Sequence, residues 1–372
     1  MVAAIICEYN PFHNGHKFQI DTVKKDADAV ICIMSGSFVQ RGAPAVYDKW
    51  TRAEDAIING ADLVIELPTV YATQSAQRFA MGGVKLADSL GVVDMLAFGS
   101  ECGDIKKLKE CAEILNSEEF NAFIEKEMKE GTSFPVARTN ILKAHYSHID
   151  DKLISNPNNI LSIEYINAID NIKSKIKPYT HKRNFDFASA SAIREKMDKN
   201  EDVSSSVPTQ VRKTYDKGIF DALVLHHFRK ERLEALQNIC DMSEGLENKF
   251  KKASQVSTTV EDLAESVKSK RYTRTRIDRI IVNSLLGIEE KHTEISPQYI
   301  RVLAFNERGK SLLSDIKKKS SLPIITKVAD AKPDNPDYEV MFEKDLLATD
   351  IYSTLTNKKA GLDFLTSPIY KK

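Results

Sequence analysis

Residues Val2 to Cys7 form an apolar run that leads without a spacer into Glu8-Tyr9-Asn10-Pro11-Phe12-His13-Asn14-Gly15-His16, and an amphipathic helix with Phe18, Ile20 and Val23 on one side starts directly behind it. Few architectures accommodate that join. A buried strand turning straight into a helix belongs to a parallel sheet, where the carboxyl ends of strands meet a helix N-terminus offering free N–H groups and a positive dipole end. Phosphate binds at such a place. Gly15 permits close backbone approach. His13 and His16, three residues apart, face one ligand and donate hydrogen bonds to oxygens that gain charge when an α-phosphate is attacked and pyrophosphate leaves.

The same texture continues through the first half. Ala29 to Met34, Leu63 to Leu67 and Met95 to Phe98 read as buried strands, and Ser75 to Leu90 carries Ala76, Phe79, Ala80, Val84 and Ala87 at helical spacing. Alternation of this kind predicts an α/β fold with a parallel sheet. From Ser204 onward the runs from Phe220 to Cys240, Leu246 to Ala253 and Val260 to Lys268 are helical and densely charged, with short strands predicted at Tyr299 to Phe305 and Leu322 to Lys327. A boundary is therefore placed at 203/204, with Ser204-Ser205-Ser206 before Pro208 as its hinge. The expected domains are residues 1–203 and a mainly helical 204–372.

Charge constrains partners: Lys plus Arg equal Asp plus Glu at 53 each, so any nucleic-acid site rests on local clustering. The five cysteines form no C-x-x-C pair, no dedicated metal cage is evident, and no run is long enough to span a membrane. Nothing directs the chain away from the cytoplasm.

A second phosphate-type motif is Ala188-Ser189-Ala190-Ser191-Ala192-Ile193-Arg194. There Ser189 and Ser191 can cap a helix while Arg194 presents a fork of donors one turn in. Gly309-Lys310-Ser311 mimics the end of a P-loop but has Ala304 where its first glycine is required. Gly99, at a strand's carboxyl end, suits a backbone packed against a nucleotide. The loop from Met34 to Arg52 carries Arg41, Lys49 and Arg52. Lys49 and Arg52 are candidates either for phosphate or for ion pairs with Asp48, Glu54 and Asp55. Asn158 and Asn159 stand at the mouth of a helix, to cap it or to read a base or ribose.

The pair of motifs resembles the H-x-G-H and I-S-S-T-x-I-R signatures of the HIGH-type nucleotidyltransferase superfamily, with Ser191 where threonine is usual. Val39-Gln40-Arg41-Gly42, Ala61 to Pro68, Phe98-Gly99-Ser100-Glu101, Pro157 to Leu161, Lys270 to Arg276 and Tyr299 to Leu303 narrow it. Together they resemble the bacterial tRNA(Met) cytidine acetate ligases, over nearly the whole chain. Cys7, often Val in that family, and Ser162, often Gly, are departures. The resemblance implies a Rossmann-like parallel-sheet nucleotidyltransferase domain followed by a mainly helical, tRNA-binding domain. It implies that acetate and ATP, with Mg2+, form acetyl-adenylate, and that the acetyl group passes to N4 of the wobble cytidine of elongator tRNA(Met).

Carried over by motif, His13 and His16 are catalytic. The ATP site comprises Ile6, Cys7, Glu8, Tyr9, Asn10, Pro11, Phe12, His13, Asn14, Gly15, His16, Lys17, Phe18 and Gln19, with Gly99, Asn158 or, by preference, Asn159, and Arg183, Ser189, Ser191 and Arg194. Lys270, Arg271, Tyr272, Arg274 and Arg276 form the RNA cluster, with Lys268 and Arg279 beside it. Two other readings share these motifs. One is an adenylyltransferase of a coenzyme precursor, which leaves the long charged second half unexplained. The other is a non-catalytic, nucleotide-dependent RNA-binding protein.

Overall fold

The computed structural model describes residues 1–372 apart from Gly131, Ser133, Glu244, Lys270 and Arg271 and the side chains of Phe134, Pro135 and Asp151. The apolar runs are strands: β1 (Val2–Cys7), β2 (Ala29–Ser35), the small hairpin β3 (Phe38–Val39) and β4 (Ala43–Pro44), β5 (Leu63–Leu67) and β6 (Met95–Ser100). β7 (Lys177–Lys182) carries no buried run, because it is an edge strand whose side chains are half-buried or exposed. β8 (Ile300–Phe305), β9 (Ile324–Ile325) and β10 (Ile369–Tyr370) come from the second half.

Among the described residues these build one large sheet in the order β10-β8-β5-β2-β1-β6-β7, with β9 beside β8. β1 is interior. It runs parallel to β2 in register from Val2 opposite Ala29 to Cys7 opposite Met34, and parallel to β6 on its other side. β8 is antiparallel to β5.

Helices cover both faces. In chain order they are α1 (Asn14–Val23), α2 (Lys49–Ile58), α3 (Thr69–Ala72), α4 (Ala76–Ser89), α5 (Ile105–Asn116), α6 (Glu118–Lys129), α7 (Phe134–His145), α8 (Asp151–Ser155), α9 (Pro157–Asn171) and α10 (Ala190–Asp198). Alternation along β1 assigns them to faces. Ala3, Ile5 and Cys7 pack with Ile20 and Val23 of α1 and Trp50 and Ala53 of α2, whereas Ala4 and Ile6 pack with Phe79 and Val84 of α4 and Tyr165 of α9. The cleft described below opens where both layers end.

The expected helical run from Phe220 to Cys240 is broken at Glu231 into α11 (Lys217–Lys230) and α12 (Leu233–Gln237), followed by α13 (Leu246–Val256), α14 (Val260–Val267) and α15 (Arg274–Leu286). They close over a second core centred on the stacked rings of Phe228 and Phe250, 4.8 Å apart. The chain then returns to the sheet through β8 and α16 (Glu307–Lys319), and α17 (Pro336–Leu355) places Ala348 and Leu355 in the helical core. α18 (Leu362–Leu365) precedes β10.

A division at 203/204 therefore does not separate sheet from helices, since residues 300–370 belong partly to each. Four buried charges bind the two parts: Lys49 contacts Glu66 at 2.7 Å and Asp363 at 2.9 Å, and Arg301 contacts the same carboxylates at 3.2 and 2.6 Å. No side chain within 300–305 signals by periodicity that its strand joins β5, because that pairing is a long-range choice.

Candidate active site

The chain enters α1 through its own histidines. His13 is the N-cap, its Nδ1 accepting the Gly15 N–H at 3.0 Å, and Nδ1 of His16 accepts the His13 N–H at 3.3 Å. The rings stack with centroids 3.6 Å apart. With each Nδ1 used as an acceptor, the neutral rings carry their proton on Nε2. Burial, aided by Arg183 and Arg194, pushes the His13 pKa down to about 4. Burial, then His13 itself and Arg183, holds that of His16 well below its ordinary value. Both are thus uncharged N–H donors at neutral pH, and both line the cleft.

The turn ahead of them is fixed from several directions. The Asn10–Pro11 bond is cis, and Tyr9 takes φ 48°, a left-handed conformation that its fully packed ring holds in place. Asn10 Oδ1 accepts the Val46 N–H at 2.7 Å, and Arg194 donates to the Asn10 carbonyl at 2.7 Å and to Ser191 Oγ at 3.1 Å. The second motif is therefore bound to the first. Ser189 caps α10 by accepting the Ala192 N–H, as its position predicts. The serine run is no free hinge, because Asn14 donates its backbone N–H to Ser206 O at 3.0 Å and its side chain to Ser205 O at 2.9 Å.

Lys49 and Arg52 take neither of the roles the sequence suggested. Lys49 lies in the buried charge cluster. Arg52 is fully buried and donates to four carbonyls: Nε to Tyr47, Nη1 to Glu8 at 2.6 Å and Ser35 at 3.0 Å, and Nη2 to Gly36. It ties the carboxyl ends of β1 and β2 together beneath the site. Long cationic side chains beside acidic neighbours look like surface pairs, and only the packing reveals otherwise.

The cleft has a volume of about 470 Å³. Of the anticipated nucleotide residues it brings together Ile6, Cys7, Glu8, Tyr9, Asn10, His13, Gly15, His16, Phe18, Gln19, Gly99, Asn158 and Arg183. Pro11, Phe12, Asn14, Lys17, Asn159, Ser189, Ser191 and Arg194 stand outside its lining. Phe12 is core, and Lys17 pairs with Asp21 at 3.2 Å. Asn159 is buried behind the wall, its Oδ1 accepting the N–H groups of Glu101 and Cys102 at 3.0 and 3.1 Å and its Nδ2 donating to Lys152 O. It shapes the Gly99–Cys102 turn, and the neighbour Asn158, bonded to Glu101 at 2.6 Å, is the amide at the surface of the cleft. A Cβ on Gly99 would lie 3.1 Å from His181 Nε2 and 3.2 Å from Arg183 Cγ, so glycine leaves room for both.

Sequence reasoning missed His181. It lies on β7, whose strand character sequence patterning could not show, and lines the cleft; burial together with Arg183 pushes its pKa down to about 4. It also placed Arg279 only with the RNA cluster. Thr275 and Arg279 reach the cleft from α15, and Gln40 and Arg41 from the β3–β4 turn, so the far rim is built by two distant segments. Gly42 makes their contact possible, with φ 76° and a Cβ position 2.3 Å from the Arg279 nitrogen. Glu8 accepts the Gln40 N–H at 2.7 Å.

Of the anticipated RNA cluster, Lys270 and Arg271 lie outside the described residues. Arg274 is held by Glu261 at 2.5 and 2.6 Å and by Asp278 at 2.8 Å. Arg276 lies 5.2 Å from the Tyr272 ring centroid and donates to Asp241 O and Ser243 Oγ.

An interior parallel strand, a neutral imidazole pair at the helix start and arginines around the cleft define an α/β protein of the class that handles nucleotide α-phosphates. Comparison with known proteins agrees. The model of the family "HIGH Nucleotidyl Transferase" matches residues 1–363. The tRNA(Met) cytidine acetate ligase of Acetivibrio thermocellus is 40% identical over 98% of each chain, and that of a Thermoanaerobacter species is 43% identical over the same shares. The crystal structure of Thermotoga maritima TmcAL bound with alpha-thio ATP superposes with a TM-score of 0.91 at 35% identity over 99% of both chains. The chain belongs to the tRNA(Met) cytidine acetate ligase family of HIGH nucleotidyltransferases.

Proposed function

We propose that this protein condenses acetate with ATP to acetyl-adenylate and passes the acetyl group to N4 of the wobble cytidine of elongator tRNA(Met). The observation that carries the reading is the pair of neutral Nε2–H donors of His13 and His16 at the start of α1, facing the same cleft as Arg183. Acetate is ionised at neutral pH and needs no base. Its oxygen attacks the α-phosphorus, the bond to the β-phosphate bridging oxygen breaks, and pyrophosphate leaves with the electron pair. Charge grows on the α-phosphate oxygens, where preorganised donors stabilise it most.

Mg2+, expected with ATP, supplies charge neutralisation on the phosphates. Among the described residues that line the cleft, Glu8 is the carboxylate, while Glu101 lies outside the lining and is committed to Asn158, Asn159 and Arg183. Glu8 has one oxygen engaged by the Gln40 N–H and would hold the ion with the other. In the second step the cytidine N4 attacks the acetyl carbon, the bond to AMP breaks, and N4 releases a proton.

The RNA reading rests on the rim that joins Arg41 to α15. Half-buried Arg276 covers the Tyr272 ring, which is buried in the helical core and so is not a stacking face; the stretch offers cations, which Lys270 and Arg271 extend in sequence. Arg274 serves this surface through the helix it anchors, since its donors are taken. The names of the relatives support acetate and tRNA(Met) as substrates.

The test is acetate-dependent exchange of labelled pyrophosphate into ATP. Wild type is expected to catalyse it, and His16→Ala to lose about 100- to 1,000-fold with tRNA affinity retained, as for removal of one oxyanion donor. Absence of exchange with acetate at high enzyme concentration sinks the ligase reading.

A further inference from the structure

Part of the cleft wall is apolar and continuous with the main core. Ala76 and Phe79 of α4, Leu161 and Tyr165 of α9, and Ile6 and Phe98 at the ends of β1 and β6 line it. The Phe98 and Tyr165 rings stand 5.5 Å apart at 35°. On α4, a Cβ at Gly83 would come within 2.6 Å of Ile6 Cδ1, so glycine there lets the helix close down on this compartment.

Within it, Tyr165 is only 2% exposed, and its hydroxyl finds no hydrogen-bond partner. Buried hydroxyls in native proteins are almost always partnered, and phenylalanine would fill the same space without an orphaned donor. The hydroxyl therefore marks the position of an acceptor that arrives from outside. Its ionisable neighbours are Cys7 and Glu8, which places it towards the turn that carries His13 and His16. Neither is its partner: Cys7 Sγ is directed to Ile33 O, and Glu8 accepts from Gln40.

We infer that this compartment seats the acid, with the acetate methyl against Ile6, Phe79 and Phe98 and one carboxylate oxygen accepting from the Tyr165 hydroxyl. The other oxygen is then free to attack the α-phosphorus held by the imidazole pair. Burial raises the Tyr165 pKa well above its ordinary value, so the phenol keeps its proton beside the carboxylate. These walls would select by size, because a longer acid must displace the buried rings of Phe79, Phe98 and Tyr165. The inference rests on the ligase reading above.

Tyr165→Phe tests it through acid-dependent pyrophosphate exchange, with equilibrium binding of α-thio ATP and thermal unfolding as folding controls. The acetate KM is expected to rise about 10- to 100-fold, the effect of losing one hydrogen bond to a charged group, with ATP KM and analogue affinity within about twofold of wild type. The variant should melt no lower than wild type, because it removes an unpartnered donor. Leu161→Ala, at a half-buried position, should raise the propionate-to-acetate ratio of kcat/KM by about 10-fold. An unchanged acetate KM in Tyr165→Phe overturns the assignment while leaving the ligase reading intact. Equal rises in both KM values also overturn it, by making Tyr165 a nucleotide residue. Wild-type enzyme inert towards acetate overturns both.

Discussion

Replacement of Arg52 by lysine should cost far more than the conservation of charge suggests. The guanidinium donates to the carbonyls of Tyr47, Glu8, Ser35 and Gly36. A single ammonium at the end of a flexible stem reaches two of these at best. Two carbonyls then lose charge-assisted bonds worth about 1.5–3 kcal/mol each, so the variant should be about 3–6 kcal/mol less stable, against a total of about 5–15 kcal/mol for a typical protein. Because Glu8 directly follows β1 and Ser35 ends β2, the loss also loosens the strand that presents the histidines. Guanidinium chloride unfolding followed by circular dichroism gives the first quantity, and α-thio ATP affinity under conditions where the variant is folded gives the second. Stability within about 1 kcal/mol of wild type would refute the clamp.

Three further outcomes follow from the geometry. His13 has a pKa of about 4 in the folded protein against 6.5 ordinarily, so as pH falls below 6.5 the unfolded chain takes up a proton that the folded one refuses, and roughly 3 kcal/mol present above 6.5 is lost by pH 4. His13→Asn keeps a capping oxygen and should flatten that part of the stability–pH curve; an unchanged slope contradicts the buried neutral imidazole. Asn159→Ala leaves the Glu101 and Cys102 amides unpaired and should destabilise by about 2–4 kcal/mol while weakening nucleotide binding. Weaker binding at undiminished stability would instead put that side chain on the nucleotide. Gly42→Ala forces a Cβ into the Asp278–Arg279 backbone, so about 2 kcal/mol or more of stability and part of the tRNA affinity should go, measured by thermal unfolding and filter binding.

The strand-to-helix turn was legible because everything it needs is local. Val2 to Cys7, Gly15, and His13 with His16 define a buried strand, a close approach and a capped helix within sixteen residues, and β1 is an interior parallel strand paired on both sides. Ser189 as a cap was legible for the same reason. β7 was not, since an edge strand needs no apolar alternation, and with it went His181. Asn158 and Asn159 are chemically equivalent in sequence, and only the packing of α9 turns one into the wall and the other towards the cleft.

By itself, then, the sequence determined the parallel α/β architecture, the α-phosphate motif and the family resemblance, all of which depend on residues adjacent in the chain or spaced by one turn. Tertiary structure alone decided that residues 300–370 return to the sheet and that Arg279 shares a cleft with His16. It also decided that Lys49 and Arg52 are buried anchors rather than phosphate ligands. Each of these is a contact across tens to hundreds of residues, where a side chain's charge is known in advance but the partner that neutralises it is fixed only when the chain closes.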